Sequence, residues 1–133
     1  MKAALGLLLV LAGCAAAPEP CPLGATPATI AEAYFGRNVK TRAPVTDAEW
    51  ARFMAEVVTP AFPDGLTVLD GMGQWRNAAG RISREESKVL VVVLPGQDQA
   101  TASKRLNPVI AAWKTRFAQE SVLTVFRAGC AAF

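Results

Sequence analysis

The stretch KVLVVVLP, residues 88–95, constrains the fold of this sequence more than any other feature. Side chains of a β-strand alternate between the two faces of its sheet. One face of this strand then carries Val89, Val91 and Val93, and the other carries Leu90, Val92 and Leu94. An antiparallel sheet with helices on one face only usually has polar residues on its other face. We therefore expect a second subunit, a terminal segment or a ligand to cover the second face, and we favour a homodimer.

A first helix is predicted in TDAEWARFMAEVV. Thr46 is its N-cap, and Glu49 stands three residues later, which together form a capping box. Apolar residues then recur at helical spacing, namely Trp50, Phe53, Met54 and Val57. We interpret this stripe as core rather than as a ligand pocket. The helix is expected to end at Thr59-Pro60, because the residue before a proline avoids the α region.

A second helix is predicted over residues 98–118. Its buried face is expected to consist of Leu106, Val109, Ile110, Trp113 and Phe117. Asn107-Pro108 interrupts this pattern, either as a kink or as the start of a second helical segment with Asn as its cap.

Three further strands complete the predicted fold, in residues 30–37, 65–69 and 121–126. The first of them could equally begin a helix. The turn residues NAAG at 77–80 join the second and third strands of the chain. The order strand, helix, strand, strand, helix, strand matches an α+β, ferredoxin-like sandwich, with a four-stranded antiparallel sheet and two helices on one face. In that arrangement the last strand pairs antiparallel with the first.

The N-terminus is predicted to be a targeting segment rather than part of the fold. Residues 1–13 have a basic start and a short apolar run, and LAGC, which ends at Cys14, resembles a bacterial lipobox. The resemblance implies that Cys14 carries acyl chains, that the protein is anchored in the cell envelope, and that it faces the periplasm, with the outer membrane as the expected destination. An ordinary secretory signal with a chance cysteine is the alternative. Residues 14–29, rich in Ala and Pro, are read as a linker before a single domain at 30–133.

The other two cysteines are predicted to form a disulfide. Cys21 and Cys130 are an even pair in an oxidising compartment, near opposite ends of the mature chain. The predicted topology also brings the entry of the first strand beside the exit of the last. Free buried thiols are the alternative.

The glycine-rich stretch FPDGLTVLDGMGQWRNAAGR, residues 62–81, is not expected to bind phosphate. A phosphate loop needs its glycines to open a helix, so that backbone N–H groups and the helix dipole meet the anion. No helix is predicted after Gly73. The glycines between the strands instead predict a bulge or a close approach of backbone.

Composition excludes several kinds of chemistry. The sequence contains no histidine, which removes Ser-His-Asp and Cys-His mechanisms and the commonest zinc ligand sets. Glu85 and Glu86 are neighbours in a strand and point to opposite faces, so they cannot serve one site together. We expect no cofactor and no metal. The net charge of +3 is spread along the chain without a basic block, so nucleic acid is not an expected partner.

A polar and aromatic set is left as the candidate site. It consists of Tyr34, Arg37, Trp75, Arg76, Glu85, Lys88, Gln119 and Glu120. One interpretation is structural, with salt bridges and an aromatic lid over a sheet edge. The other is a pocket on the open face of the sheet, in which Arg76, Lys88 and Tyr34 anchor an anionic or carbonyl-bearing ligand.

Several blocks of the sequence also resemble one bacterial family. YFGR, EWARFMAEVVTPAFPDGLTVLDGMGQW, REESKVLVVVLP and WKTRFAQESVL are similar, in this order, to a secreted and lipoprotein family numbered 3574 among the domains of unknown function. The resemblance covers nearly all of residues 32–133 and implies no established activity. Pro108 departs from the family pattern. Together these observations predict a lipid-anchored binding or envelope-associated module, with a small cofactor-independent enzyme as the alternative.

Overall fold

The computed structural model describes residues 20–76 and 79–133. The element order is β1 (Thr26–Gly36), α1 (Asp47–Phe53), a π-helical segment (Met54–Val58), α2 (Thr59–Ala61), β2 (Thr67–Arg76), β3 (Ile82–Pro95), α3 (Gln99–Phe117) and β4 (Leu123–Ala131). The four strands form one antiparallel sheet in the order β2-β3-β1-β4. The predicted α+β, ferredoxin-like fold is confirmed.

The first helical unit begins as predicted and ends later. Thr46 caps α1, and its side chain and that of Glu49 make both hydrogen bonds of the capping box. The helix does not stop at Thr59-Pro60, because the chain first widens into the π-helical segment, where the Thr59 N–H donates to the Met54 carbonyl. Pro60 then lies in the first turn of α2, a position that needs no N–H donor. Ala61 is the last helical residue.

The second helix, α3, runs without interruption from Gln99 to Phe117, with Pro108 inside it. Neither a break nor a second segment starts at Asn107, so the alternative of a helical restart is wrong. Asp98 is the N-cap, and its side chain accepts a hydrogen bond from the Thr101 N–H. The predicted buried face is correct in Leu106, Val109, Trp113 and Phe117, whereas Ile110 is only partly buried.

The hydrophobic core lies between the helices and one face of the sheet, which we call the helix face. Strand β1 contributes Ala31, Ala33 and Phe35 to this face, and β3 contributes Leu90, Val92 and Leu94. Trp113 is fully buried at the centre of an aromatic cluster. Its ring centroid lies 5.1 Å from that of Phe35 and 4.4 Å from that of Phe117. Aromatic pairs that pack edge-to-face, as Trp113 and Phe35 do, contribute beyond the buried area alone.

The strands are longer than the sequence patterns predicted. β1 starts at Thr26, so the predicted linker of residues 14–29 includes the first four residues of the sheet. β4 continues to Ala131, because Thr26 pairs with Ala131 at the far end of the ladder. The same register sets Cys130 beside the start of β1. Cys21 and Cys130 form the predicted disulfide, with their Cα atoms 5.7 Å apart.

Candidate functional site

The side of the sheet away from the helices, which we call the open face, bears an apolar strip across its strands. The alternation predicted for β3 is correct, since Leu90, Val92 and Leu94 are buried under the helices. The cross-strand register places the following residues on the opposite side: Ile30, Glu32, Tyr34, Leu69, Trp75, Glu85, Val89, Val91, Val93, Leu123, Val125 and Arg127. Val93 is 42% exposed, Leu69 52% and Leu123 63%. Apolar side chains adjoin across strands on this face, Leu69 beside Val89 and Val93 beside Ile30, although Thr67, Ser83 and Ser87 also lie on it. A wetted sheet is expected to carry polar residues at such positions.

A polar group lies on the open face where β1 meets β4, with Glu32 between Val91 of β3 and Val125 of β4. Arg127 of β4 forms an ion pair with Glu32 of β1, and the Tyr34 hydroxyl donates a hydrogen bond of 2.8 Å to the same carboxylate. The Glu32 side chain is only 15% exposed, so its charge is largely enclosed by these two partners. The hydrogen bond to Glu32, followed by desolvation, raises the pKa of Tyr34 above its ordinary value of 10.0. The phenol is therefore held in its neutral, donating form.

Two glycines of the open face let neighbouring side chains lie across the backbone. A Cβ atom on Gly129 would stand 2.8 Å from the Ile30 Cδ1, and one on Gly71 would stand 2.8 Å from the Ser87 Oγ. Both distances are shorter than real Cβ contacts, so a larger residue at either position would require the Ile30 or the Ser87 side chain to move. The glycines of the G-M-G stretch lie within strand β2, where the close approach to Gly71 is made by a side chain and not by backbone, and no phosphate loop is formed.

A second candidate lies on the helix side, where β2 and β3 extend beyond the start of α1. It is a cavity of about 380 Å³ that we call the ionic pocket, and it is lined by Arg37, Asp47, Asp70, Gly71, Met72, Glu86, Ser87 and Lys88. The Arg37 and Lys88 side chains are 13% and 12% exposed. The three carboxylates are instead mostly exposed and stand at the mouth.

Asp47 joins the two enclosed cations. Its Oδ1 lies 3.1 Å from a terminal guanidinium nitrogen of Arg37 and 3.1 Å from the Lys88 Nζ. Lys88 also bonds Asp70, and Arg37 reaches Glu86 at 3.5 Å. The hydrogen bond from Lys88 and the charge of Arg37 hold the pKa of Asp47 below its ordinary value. The hydrogen bond to Asp70 and those with Asp47 outweigh desolvation and raise the pKa of Lys88.

Local backbone contacts fix Arg37 at the edge of this pocket. Its N–H donates to the Glu86 carbonyl, which extends the β1–β3 ladder by one residue. Its Nε donates to the Val45 carbonyl at 2.6 Å, and the Val45 N–H donates back to the Arg37 carbonyl at 2.8 Å. The guanidinium is thus tied both to the sheet and to the segment that leads into α1. Because both the backbone and the Nε of Arg37 are held by hydrogen bonds, its guanidinium is preorganised for ionic contacts.

The predicted site residues fall into four separate places rather than one: the open face, the ionic pocket, the hairpin end and the loop after α3. Tyr34, Trp75 and Glu85 lie on the open face, and Arg37 and Lys88 lie in the ionic pocket. The predicted convergence of Arg76 and Lys88 with Tyr34 is wrong. Lys88 pairs with Phe35 and therefore shares the helix face, and Arg76 donates to the Gly80 carbonyl near the hairpin end.

The last two predicted residues lie in the loop after α3. The Gln119 side-chain amide donates to the Asn38 carbonyl at 2.8 Å, and Glu120 forms an exposed ion pair with Lys40. These contacts join two loops and face neither the open face nor the ionic pocket. Glu85 has a comparable structural contact, since it accepts a hydrogen bond of 2.8 Å from the Asn38 N–H. These contacts favour a structural role over ligand binding for Gln119, Glu120 and Glu85.

Three carboxylates of the ionic pocket were not among the predicted site residues. Asp47 stands at the first position of a capped helix, where an acid is expected for the helix dipole alone. Asp70 and Glu86 are exposed strand residues, and their place beside Lys88 and Arg37 depends on the β2–β3 register. The sequence alone does not determine the β2–β3 register.

The predicted lipidation site, Cys14, lies outside the described residues. None of the helices in residues 20–76 and 79–133 is long and apolar enough to cross a membrane. In the same two stretches, no three acidic or cysteine side chains come together as a metal site.

The fold is similar to that of two kinds of solved structure. A phage SAM lyase in complex with S-methyl-5'-thioadenosine has a TM-score of 0.59 at 15% identity, over 89% of this chain and 97% of that chain. The phage SAM lyase in its apo state has a TM-score of 0.60 at 14% identity, over 88% and 97%. CutA from Synechococcus elongatus has a TM-score of 0.51 at 8% identity, over 80% and 81%. Similarity at such identities shows the fold alone.

Sequence comparison adds a family but no activity. No curated protein matches the chain significantly. Residues 31–133, which include nearly all of the sheet and the three helices, match the family described as protein of unknown function, DUF3574. The match spans the blocks from YFGR to WKTRFAQESVL in which the resemblance was first noted. The chain therefore belongs to the DUF3574 family.

Proposed function

We propose that this protein is a lipid-anchored module of the bacterial envelope, facing the periplasm from the outer membrane, whose open face binds a second copy of the chain. The observation that carries the proposal is the apolar strip of the open face. A single antiparallel sheet with one solvated face does not need valine at three alternate positions of one strand. Contiguous exposed apolar surface of this kind marks interaction sites.

The anchor is supported by the LAGC stretch and by the place of the disulfide. Cys21 follows Cys14 by seven positions, and Cys21 is bonded to Cys130 near the end of β4. Seven extended residues reach at most about 25 Å. An acylated Cys14 therefore holds the β1–β4 end of the domain close to the bilayer. Two or more acyl chains give stable anchoring, since each buried methylene contributes about 0.8 kcal/mol.

A second copy fits the open face better than an unrelated partner, because this face carries both signs of charge. An isologous interface brings the same patch of both subunits together, so each charge must find its opposite on the same surface. Arg127 is 58% exposed beside the enclosed Glu32, and Glu32 lies between Val91 of β3 and Val125 of β4, so both signs of charge stand within the face itself.

The anchor is tested by mass spectrometry of the protein from membranes of a lipoprotein-processing bacterium. We expect a mature N-terminus at Cys14 that carries acyl chains, and a Cys14→Ser variant that is absent from the outer-membrane fraction. A mature chain that begins elsewhere without lipid would refute this part of the proposal.

Pairing is tested on a soluble chain that starts at residue 15, because residues 20–133 contain the core and the disulfide. Sedimentation velocity should show a dimer that dissociates on dilution. Replacing Leu69 and Val93 by threonine keeps β-propensity and should shift the species to monomer. Leu23→Thr is the matched control, because Leu23 is 107% exposed and lies outside the sheet. Equal dimer fractions in both variants would show that the open face is not the interface.

The alternative function is a small cofactor-independent enzyme. The ionic pocket favours it, because it is a cavity in which two cations are enclosed, and the fold is shared with a phage SAM lyase. The pocket that this alternative predicted on the open face is instead on the helix side. The test is to incubate the chain with SAM and to measure S-methyl-5'-thioadenosine by chromatography. Formation that disappears in a Lys88→Met variant supports the enzyme, and none above the buffer rate counts against it.

A further inference from the structure

The β2–β3 hairpin extends beyond the body of the sheet at one end. Strand β1 pairs with β3 no further than Gly36, which lies opposite Ser87. Residues 82–85 of β3 therefore pair with β2 and with no other strand. We call this two-stranded part, residues 73–76 and 82–85, the ribbon. At about 3.3 Å per residue, the ribbon extends the sheet by roughly 10 Å.

The ribbon exposes large apolar side chains that lie outside the core. Trp75 is 53% exposed and Ile82 is 52% exposed. The register sets Trp75 opposite Ser83 on one face of the ribbon and Ile82 opposite Arg76 on the other. Because apolar side chains lie on both faces at the same end, the end of the ribbon is itself an apolar surface. Exposed apolar groups with polar neighbours mark contacts with a protein or a membrane.

The same end carries a concentration of positive charge. Residues 72–84 contain three arginines and no acidic residue. Arg76 and Arg84 are both exposed. Since Arg76 pairs with Ile82, Arg84 is its diagonal neighbour on the same face of the ribbon. Two like charges at this spacing repel each other, and an anion that contacts both removes the repulsion.

The polar groups near these arginines do not supply such an anion. Arg76 donates a hydrogen bond of 2.9 Å to the Gly80 carbonyl, which carries no net charge. The next acids along β3 have other partners. Glu85 accepts a hydrogen bond from the Asn38 N–H, and Glu86 forms an ion pair with Arg37. The charge of the ribbon therefore calls for an anionic partner from outside the chain.

The apolar side chains favour a lipid surface among anionic partners. Tryptophan is enriched where membranes meet water, because its ring is apolar and its N–H is polar. Arginine makes paired hydrogen bonds to phosphate. Ile82 finds apolar contact among acyl chains, whereas an anionic sugar polymer or a nucleic acid offers an aliphatic side chain little. The roughly 10 Å of the ribbon also matches the depth of about 5–10 Å at which amphipathic segments lie in the headgroup region.

We propose that the end of the ribbon binds an anionic lipid bilayer, with Trp75 and Ile82 among the headgroups and upper acyl chains, and with Arg76 and Arg84 on lipid phosphates. The inference does not depend on acylation of Cys14, because the ribbon should bind vesicles without an anchor. It is also separate from the pairing of open faces, since Trp75 lies six residues beyond Leu69 along β2, about 20 Å away.

A second contact with the bilayer would orient the anchored domain. Ile82 begins β3 at the ribbon, and Pro95 ends it beside the start of β1, where the disulfide lies. The two ends are about 40 Å apart at 3.3 Å per residue. Contact at both ends would lay the long axis of β3 along the membrane.

The test uses the chain that starts at residue 15 and phosphatidylcholine vesicles, with or without phosphatidylglycerol. Of the three tryptophans, Trp50 and Trp113 are buried and Trp75 is exposed. Quenching of fluorescence by lipids brominated in their acyl chains therefore reports Trp75. We expect the chain to sediment with the phosphatidylglycerol vesicles and to be quenched there. The Leu69→Thr/Val93→Thr chain should do the same, so a failure of pairing leaves this test intact.

Charge variants test which residues contact the lipid. Arg76→Gln/Arg84→Gln should weaken vesicle binding roughly 25-fold, since each basic residue near an anionic surface contributes about fivefold. Arg84→Gln alone should weaken it about fivefold, which keeps the test valid if the double variant is unstable. Arg52→Gln is the matched control, because it removes the same charge from an exposed position on α1 and should bind as the wild type does.

Four results would overturn the proposal. They are equal binding with and without phosphatidylglycerol, bound protein whose Trp75 is not quenched, equal binding of the wild-type and Arg84→Gln chains, and binding to peptidoglycan or nucleic acid with none to vesicles. Binding should also weaken as salt is raised, because exposed charges are screened beyond roughly 10 Å at 0.1 M. Binding that is insensitive to salt would contradict the role of the arginines.

Discussion

Removal of the Cys21–Cys130 disulfide should destabilise the domain strongly. The two cysteines are 109 residues apart in sequence. In the chain-entropy model, a closed loop of about 110 residues raises the free energy of the unfolded chain by about 4.8 kcal/mol at 25 °C. Domains of this size have unfolding free energies of about 5–15 kcal/mol. The bridge therefore contributes a third or more of the total stability, and the reduced chain is expected to be marginal.

The assay is urea unfolding of the soluble chain at 25 °C, followed by tryptophan fluorescence. A Cys21→Ser/Cys130→Ser variant should lose roughly 3–5 kcal/mol relative to the oxidised chain. Reductant should lower the wild-type midpoint to that of the variant and leave the variant unchanged, which separates the bridge from the effect of serine. Thiol titration first establishes that the wild-type chain contains the bridge. If the wild type and the variant then unfold at the same urea concentration, the bridge does not stabilise the domain and the entropy argument is refuted.

Three smaller perturbations test other contacts. Tyr34 is the only tyrosine in the sequence, so phenolate absorbance reports its pKa, which should exceed 10.0 and fall toward that value in Glu32→Gln. Because the pKa of Tyr34 is raised in the folded state, its hydrogen bond to Glu32 stabilises the fold below pH 10, and this stabilisation is lost as the pH rises through the folded-state pKa. A Tyr34 pKa equal to the ordinary value would contradict this contact. Gly36→Ala places a Cβ 2.6 Å from a carboxylate and should lose about 1 kcal/mol in urea unfolding, whereas Gly73→Ala, whose nearest contact is 3.7 Å, should displace no neighbour. Ala118 has φ 51°, so Ala118→Gly should raise the free energy of unfolding in urea by about 0.5–1 kcal/mol; a lower free energy of unfolding would count against strain at this cap.

The fold could be predicted largely because its signals are local or repeated. The capping box at Thr46 and the alternation in KVLVVVLP each depend on residues within a few positions. The disulfide followed from an even pair of cysteines in an oxidising compartment, and the antiparallel pairing of the first and last strands agreed with it. Strand ends were predicted less well. The start of β1 and the end of β4 are strands because they pair with each other across the sheet, and their own residue types do not indicate a strand.

The candidate site could be predicted only in part, because it depends on register. A shift of one residue moves a side chain to the other face of a sheet. Tyr34 and Lys88 were therefore grouped together, although Tyr34 pairs with Val89 and Lys88 pairs with Phe35. Arg37 and Lys88 were recognised as candidates, but the carboxylates that surround them come from three separate elements.

The central claim is that the open face is covered in solution, and the exposure of its valine methyl groups tests this most directly. Val93 is 42% exposed in the isolated chain, and Leu23, outside the sheet, is fully exposed. A soluble paramagnetic agent enhances the relaxation of methyl protons that solvent can reach. With methyl-labelled protein above the dimerisation concentration, we predict strong enhancement at Leu23 and little at Val93. Comparable enhancement at the two residues would show a wetted sheet and contradict the account.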